Sequence, residues 1–219
     1  MTYQTYEQAV LNYLLNQLKN IVPDGINCEG IIGEYFLEAM SRTRACLKSI
    51  RQSQQAFDYL VSWHHSTLIY MLSRTIWENT NNNSEAVRLF ILNKALNGID
   101  LFYEIKLGNI FLIGHTLGVV FAKADYGNYC VFHQGCTVGR QDKMRPTLGD
   151  GIIMFPGSRI IGNCLVRENT VISAGVNLIN TSTPGNCFVF EGKGSKPVFK
   201  EINEYYADRY FIRDVAGQE

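Results

Sequence analysis

The sequence predicts an α+β protein in which an N-terminal all-α helical domain is followed by a triangular β-solenoid. Two patterns support this prediction. The first half of the 219-residue chain spaces its apolar residues three and four positions apart, whereas the second half repeats an aliphatic residue every six positions. Hydrophobic residues make up 46% of the chain and charged residues only 18%, a composition typical of a packed globular protein.

Charge and hydropathy exclude several classes of protein. Twenty basic and twenty acidic residues give a formal net charge of zero, so the composition does not indicate a nucleic-acid partner. The apolar stretches are interrupted long before the roughly 20 residues that a membrane span needs. Residues 1–9 carry no basic residue, which fits neither a secretory signal nor a transit peptide. We therefore expect a cytoplasmic protein without a membrane span.

The cysteines and histidines do not form a metal-binding pattern. None of the six cysteines belongs to a CxxC pair, and a chain of this length needs no disulfides. The cysteines are Cys28, Cys46, Cys130, Cys136, Cys164 and Cys187. A zinc site of the carbonic-anhydrase type would need three histidines, and the predicted solenoid has two. We expect free thiols and no metal.

Residues 1–98 form the predicted helical domain. The stripe from Ala9 to Ile21 has the helical period. Further helices are predicted over residues 32–50, 55–77 and 84–96. The asparagine-rich cluster at 78–83 suits the turn between the last two helices.

The period of six defines the solenoid, which we predict over residues 99–190. The repeating aliphatic residues are Leu148, Met154, Ile160, Val166, Ile172 and Leu178. Three positions after these residues the chain places turn formers, which are Gly151, Gly157, Asn163, Asn169 and Gly175. The same period occurs upstream at Leu107, Ile113 and Val119 and again at Val120, Tyr126, Phe132 and Val138. Aliphatic side chains then fill the prism and small residues take its corners, with a one-residue shift of register near 119–120.

Two segments break this repeat. The charged run from Gly139 to Pro146 is too long for a corner, so we expect an extruded loop, and loops on rigid scaffolds often bind ligands. Beyond the last repeat we expect a tail over residues 191–219 that ends in a helix-like stretch. Within that tail Lys193 and Lys196 indicate a cationic patch, with solvated surface lysines as the alternative.

The four histidines yield candidates for catalysis. His64 and His65 lie on the third predicted helix, where a buried structural role is common, and we retain His65 as a wall of a site. His115 and His133 lie in the solenoid, outside its core. Histidine is the usual general base near neutral pH, which favours His115. Asp100 precedes it by fifteen residues, a little less than one coil, and is a candidate to orient the imidazole, although spacing alone leaves this pairing open.

The order of these segments resembles that of the hexapeptide-repeat acyltransferases, and among them serine acetyltransferase. The resemblance covers most of the chain, and the fifteen-residue interval from Asp100 to His115 matches that family's catalytic pair. The matching segments are Gly98-Ile-Asp100, Lys106-Leu-Gly-Asn-Ile-Phe-Leu-Ile-Gly-His115, Gln134-Gly-Cys-Thr-Val-Gly139, Leu148-Gly-Asp-Gly151, Ile160-Ile-Gly-Asn163 and Ile172-Ser-Ala-Gly175.

This resemblance implies a left-handed parallel β-helix that assembles as a homotrimer or a dimer of trimers. Acetyl-CoA would be the co-substrate, lying between neighbouring prisms, with His115 deprotonating an acceptor hydroxyl and Asp100 holding His115. Small residues would line the channel for the pantetheine arm and the acetyl group, and two lysines would meet the phosphates. These cofactor-binding residues are Gly157, Ser158, Ser173, Ala174, Gly175, Lys193 and Lys196.

The chain departs from the family where the acceptor binds. Gly114 replaces an aspartate that binds the ammonium of serine, and residues 46–56 lack a second carboxylate. In the extruded loop the family's Arg-His-Pro becomes Met144-Arg145-Pro146, although Arg145 would still suit a carboxylate. His133 stands where the family has an aliphatic residue. The expected acceptor site therefore comprises Gly114, His65, His133 and Arg145.

These departures leave the acceptor open. An unpaired ammonium in a partly buried site costs several kcal/mol, so a sugar hydroxyl of a surface polysaccharide or its precursor competes with L-serine as the acceptor. The alternative to an O-acetyltransferase is a catalytically decayed, trimeric scaffold or binding subunit.

Overall fold

The computed structural model describes residues 5–53, 56–81 and 83–213. Within this part of the chain four α-helices precede the strands, as predicted. They are α1 (Tyr6–Ile21), α2 (Glu29–Lys48), α3 (Ser62–Thr80) and α4 (Asn83–Asn97). The predicted start of the third helix, Gln55, lies outside the described residues. Helix α3 begins only at Ser62 because a turn precedes it, in which the Asp58 carboxylate accepts a hydrogen bond from Leu60 N at 2.8 Å.

Helix α3 is the centre of the helical domain. Its side chains from His64 to Ile76 are all buried, and it packs against α2 and α4. The Tyr70 hydroxyl joins this helix to the first residues of the solenoid, since it donates to Ile105 O at 2.8 Å and accepts from Leu107 N at 3.1 Å. The helical domain and the solenoid therefore share one continuous apolar core. No helix in the described ranges is long and apolar enough to cross a membrane.

Fourteen short strands follow in the described residues. They are β1 (Ile99–Asp100), β2 (Phe111–Ile113), β3 (Val119–Phe121), β4 (Asp125–Tyr126), β5 (Cys130–Phe132), β6 (Thr137–Gly139), β7 (Thr147–Leu148), β8 (Ile153–Met154), β9 (Arg159–Ile161), β10 (Leu165–Val166), β11 (Thr170–Ile172), β12 (Asn177–Ile179), β13 (Cys187–Glu191) and β14 (Pro197–Glu201). Their lengths of two to five residues suit a solenoid, in which each strand is one side of a coil.

The strands form three sheets, one for each side of the prism. Sheet A has the order β2-β5-β8-β11-β13-β14, sheet B the order β1-β3-β6-β9-β12, and sheet C the order β4-β7-β10. Every pair is parallel except β13 with β14. The chain passes from sheet A to sheet B and then to sheet C in each complete coil, which confirms the predicted parallel solenoid.

The period of six marks the interior of the prism. All six repeating aliphatic residues from Leu148 to Leu178 are buried. Two positions before the inward residues come small side chains such as Cys130 and Cys136, which fill the inner corners. All six cysteines are free and buried, and burial raises the pKa of the Cys130 thiol to about 12.

The predicted register near residues 119 and 120 holds for Val119 and is wrong for Val120. Val119 and Phe121 point into the prism, whereas Val120 is exposed. The extra length lies in the preceding corner. There Gly114 N donates to Phe132 O, and Gly118 lies against Gly135 of the next coil. The corner from 114 to 118 therefore has two more residues than the corner from 133 to 135. Counting in sixes along the sequence assumes that all corners have the same number of residues, so it misplaces this insertion.

The described part of the predicted tail, residues 191–213, is an integral part of the fold. Strand β14 adds to sheet A, and residues 202–213, which we call the strap, run back along that sheet to the helical domain. Phe211 is fully buried and forms an antiparallel bridge with Ile50, and Ile212 N donates to Ser49 O at 2.7 Å. The helix-like stretch at its centre is a short 3-10 helix, Tyr206–Arg209.

The strap explains the burial pattern of sheet A. The middle residues of its strands point away from the prism, yet Val131, Ile153 and Val171 are fully buried. In sheet B the equivalent positions are polar or exposed, as at Arg159 and Asn177. One face of the prism is thus internal to the protein.

Removing the Phe211 side chain should destabilise the protein strongly. Phe211→Ala leaves a cavity between the strap and the solenoid, and we expect the free energy of unfolding in urea to fall by about 3–5 kcal/mol. Ile212→Ala is the matched control, because its exposed side chain should contribute less than about 0.5 kcal/mol. Equal effects of the two substitutions would show that the strap is not packed as described.

Candidate active site

A column of glycines lines the edge where each coil passes from sheet A to sheet B, here called the A/B edge. Its members, Gly118, Gly135, Gly157 and Gly175, all have positive φ. Each N–H donates to a carbonyl one coil earlier, at 2.8–3.0 Å. An added Cβ at Gly157 or Gly175 would meet nothing within 4 Å. The edge is consequently bare and open over several coils, which is a surface that admits an extended ligand.

His115 lies in the widened corner at the foot of this edge. Its side chain is exposed and makes no hydrogen bond to any described residue. The backbone of His115 is left-handed, with φ 53°, a conformation that costs a non-glycine residue of the order of 1–3 kcal/mol and is concentrated at functional sites. The fold thus places an exposed imidazole without a hydrogen bond on an open edge, and its role as a base stays a prediction.

Asp100 lies in strand β1 of sheet B, in register with Val120. Its carboxylate accepts from Lys94 Nζ at 2.6 Å, in a pair that is partly open to solvent. Among the described contacts it makes no hydrogen bond to His115. The catalytic pairing of Asp100 and His115 accordingly stays a prediction.

His133 occupies the position one coil above Gly114, beside the candidate base. Its ring stacks on Phe155 with a centroid distance of 5.4 Å and an interplanar angle of 3°, and Tyr210 of the strap contacts it edge-on at 6.1 Å. A Cβ added to Gly114 would lie 3.4 Å from His133 Nδ1. Burial, and to a smaller extent the charge of His115, lower the pKa of His133.

The predicted cofactor-binding residues divide into two groups. Ser173, Ala174 and Gly175 lie on the open part of the A/B edge. Ser158 does not present its hydroxyl there, because this side chain is fully buried and lies 3.6 Å from Cys136 Sγ. Its contribution to a channel would be limited to its backbone.

Lys193 and Lys196 lie in the turn between β13 and β14, which includes a short 3-10 helix, Lys193–Ser195. Both side chains are exposed. Strand β13 runs past the end of β11 by two residues and ends at Glu191, so this turn projects at the upper end of the A/B edge. The cationic patch and His115 therefore lie at opposite ends of one surface.

The extruded loop leaves the prism at a different corner. It connects β6 of sheet B to β7 of sheet C, and a bridge between Gln141 and Met144 closes it. Arg145 in this loop lies 3.7 Å from the Asp125 carboxylate, with both side chains exposed. Sheet B separates this corner from the A/B edge, so one chain does not bring Arg145 to His115.

His65 is a buried residue of the helical domain. Its Nε2 lies 2.8 Å from Gln17 Oε1 and its Nδ1 lies 3.2 Å from Asn97 Nδ2. Burial lowers the pKa of His65. Asn97 ends α4 directly before Gly98, the lowest residue of the A/B edge. His65 therefore supports the foot of the edge and has no free ring nitrogen.

Sequence reasoning did not identify three residues of this region. Phe155 follows the inward Met154 by one position. A search for outward residues that recur next to the aliphatic repeat could have identified it. Tyr210 comes from the strap, and its contact with His133 left no local pattern. Lys94 pairs with Asp100 at six residues' separation across the boundary between a helix and a strand. No group of three or more His, Cys, Asp or Glu side chains suited to a metal occurs among the described residues.

No family model matches the chain. It is 32% identical over 103 residues to the serine acetyltransferase of Synechococcus elongatus, an alignment that covers 45% of this chain and 42% of that enzyme. It is 25% identical over 224 residues to the serine acetyltransferase of Haemophilus influenzae, covering 90% of this chain and 82% of that enzyme. The solved serine acetyltransferase of Neisseria gonorrhoeae has a TM-score of 0.73 at 21% identity and covers 94% of this chain and 84% of its own. A serine acetyltransferase solved in complex with CoA has a TM-score of 0.71 at 20% identity, covering 90% and 86% respectively.

The helical domain followed by the parallel solenoid is the fold of the solved serine acetyltransferases, which are hexapeptide-repeat acyltransferases. The chain is similar to the serine acetyltransferases in sequence over most of its length and in fold.

Stability should fall on mild acidification. Burial lowers the pKa values of His64, His65 and His133, whereas the unfolded chain takes up protons at about pH 6.5. Below that pH the unfolded state binds more protons than the folded state, so the free energy of unfolding decreases from pH 7 to pH 5. His65→Gln should reduce this decrease in urea titrations.

Asn97→Ala is the matched control, because it removes a partner of His65 without removing a titratable group. This variant should be less stable at every pH and should show a decrease on acidification at least as large as that of the wild type, because His65 stays in place and loses the hydrogen bond that raises its pKa. A slope that is the same in His65→Gln and in the wild type would contradict the assignment.

Proposed function

We propose that the protein is an acetyl-CoA-dependent O-acetyltransferase with His115 as its general base. The main observation behind this proposal is that His115 is exposed and has a left-handed backbone conformation. It lies at the lower end of the A/B edge, which continues without side chains through Gly157 and Gly175. Strain at a free imidazole beside an open groove is typical of a catalytic position. The names of the similar proteins support the same activity. The cytoplasmic location expected from the sequence is part of this proposal.

The proposed acetyl transfer needs only one general base, His115. Neutral His115 takes the proton of an acceptor hydroxyl as the oxygen attacks the thioester carbonyl carbon of acetyl-CoA. A C–O bond forms, the C–S bond breaks, and the leaving thiolate receives the proton from the imidazolium. The products are the acetyl ester and CoA, and no metal is required.

The A/B edge is the proposed cofactor track. Gly157 and Gly175 lie two and three coils above the His115 corner, which at about 4.8 Å for each coil places the upper glycine about 14 Å away. The pantetheine arm would extend along Ala174 and the two glycines, and Lys193 and Lys196 would bind phosphate oxygens at the upper end. Ser173 would border this track.

Asp100 would orient His115 only after leaving Lys94. The Lys94–Asp100 pair is solvent-exposed on both sides, and such pairs contribute only about 0–1 kcal/mol. Exchanging the ammonium for the imidazole therefore costs little. The same contact is the one observation that favours the alternative of a decayed binding subunit, since it occupies the group that catalysis needs.

The acceptor site requires more than one chain. His115 and Arg145 lie on opposite edges of sheet B, so they act in one site only when neighbouring prisms pack together. We propose that they do so in a homotrimer, in which Arg145 of one chain meets His115 of the next. Arg145 would then bind a carboxylate or a phosphate of the acceptor. The names of the relatives favour L-serine, whereas the missing carboxylates favour a sugar hydroxyl.

Thiol release from acetyl-CoA tests the proposal. The wild-type protein should release CoA in the presence of an acceptor from a panel of L-serine, L-homoserine and free and nucleotide-linked sugars. His115→Ala should lower kcat by about 10²–10⁴-fold and leave the affinity for acetyl-CoA unchanged. Glu38→Ala, on the exposed face of α2, is the control and should be fully active. No release with any acceptor, together with no binding of acetyl-CoA, would establish the scaffold alternative.

Mixing variants tests the shared site. His115→Ala and Arg145→Ala should each be inactive or nearly so, because each removes one half of every site. Chains of the two variants, unfolded together and refolded, should recover part of the wild-type rate, since some interfaces then combine an intact His115 with an intact Arg145. Refolding each variant alone is the control, and a mixture no more active than those controls would place both residues outside a common site.

A further inference from the structure

His133 carries an atom that the fold leaves without a partner. Its Nε2 is buried and makes no hydrogen bond to the described residues. Nearly all buried polar atoms in folded proteins are hydrogen-bonded, so an exception calls for a functional explanation. The ring lies next to the proposed base and plays no part in the mechanism given above.

The two ring nitrogens of His133 have different surroundings. Phe155 covers one face of the ring and Tyr210 contacts it edge-on, and together they form an apolar enclosure. Nδ1 lies on the side of Gly114, which has no side chain, and the next residue in the chain is His115. Nδ1 therefore faces Gly114, where no side chain covers it, while Nε2 is buried inside the protein.

This difference selects one protonation state. Burial lowers the pKa of His133, so the ring is neutral near pH 7. A neutral imidazole carries one proton, and a buried donor without a partner is costly. We therefore assign the proton to Nδ1, on the side of Gly114, which leaves Nε2 as the bare nitrogen.

We propose that His133 Nδ1–H donates a hydrogen bond to an oxygen of the acceptor and so selects acceptors with an oxygen, not an ammonium, beside the reacting hydroxyl. This inference rests on the proposed acetyltransferase function. It makes His133 a specificity-determining residue and names the substrate class as hydroxy acids and sugars.

The charges around the corner agree with this selection. An ammonium has only N–H donors and needs an acceptor or a carboxylate. Gly114 supplies neither from a side chain, and His133 offers a donor. The Asp100 carboxylate is held by Lys94 in the structure and by His115 in the proposed mechanism, so it is not available to an ammonium in either case. An oxygen at the same place accepts from Nδ1–H without a net charge to neutralise.

A pair of acceptors that differ in one group provides the test. L-Serine and L-glycerate share a carboxylate and a primary hydroxyl, and glycerate carries a hydroxyl where serine has its ammonium. We expect the wild-type kcat/KM to be at least tenfold higher for L-glycerate than for L-serine. The measurement is acetyl-ester formation from acetyl-CoA at pH 7.5.

Two isosteric variants separate hydrogen bonding from packing. His133→Asn keeps a donor near the position of Nδ1 and should keep the preference for glycerate. His133→Asp replaces that donor by a carboxylate oxygen and should shift the kcat/KM ratio at least tenfold toward serine. Both variants lose the imidazole, so a purely structural role would affect them alike and leave the ratio of acceptors unchanged.

The proposal and the underlying function fail in different ways. Serine preferred by the wild type, or an unchanged ratio in His133→Asp, overturns the role of His133 and leaves the acetyltransferase intact. Inactivity with the whole acceptor panel overturns both. The nitrogen NMR shifts of the labelled His133 ring provide a readout independent of activity. A neutral ring protonated on Nδ1 supports the proposal, and a ring protonated on Nε2 or charged at pH 7.5 overturns it.

Discussion

The stacking of one coil on the next by parallel backbone hydrogen bonds is the constraint on which the rest of the structure depends. Because each coil repeats the path of the one before it, a residue type that recurs in sequence becomes a column in space. The glycine column at the A/B edge, the aliphatic column in the prism and the stack of His133 on Phe155 are three results of this one rule. A site on such a scaffold is long, straight and open, which suits an extended cofactor better than a compact one.

The period of six was sufficient to predict the solenoid because the requirement for an inward aliphatic residue recurs in every coil. The same regularity hid the length of the corner that holds His115. Two residues are inserted at one corner, and they shift all later inward positions along the sequence. Counting in sixes assigns this shift to the wrong residue, as it did at Val120. Only the pairing of Gly118 with Gly135 shows where the extra residues lie.

The strap was unpredictable for a different physical reason. It has no repeat and no strong helical period, and its structure depends on long-range contacts with Tyr129, Asn169 and the end of α2. The contacts of the candidate site were beyond the sequence in the same way. Asp100 lies at the start of the predicted solenoid, yet its partner in the folded chain is Lys94, six residues away along the chain, and not His115, which is fifteen residues away.

The strap also determines the order in which the protein reaches its final state. Residues 202–213 are synthesised after every other described element, and until they dock, the outer side chains of sheet A around Val131, Ile153 and Val171 form an uncovered apolar strip. Closing the contact between Phe211 and Ile50 joins residues 161 positions apart, which is a long loop to close late in folding. A nascent or truncated chain without the docked strap therefore exposes an apolar strip that the finished protein covers, and such a strip favours aggregation.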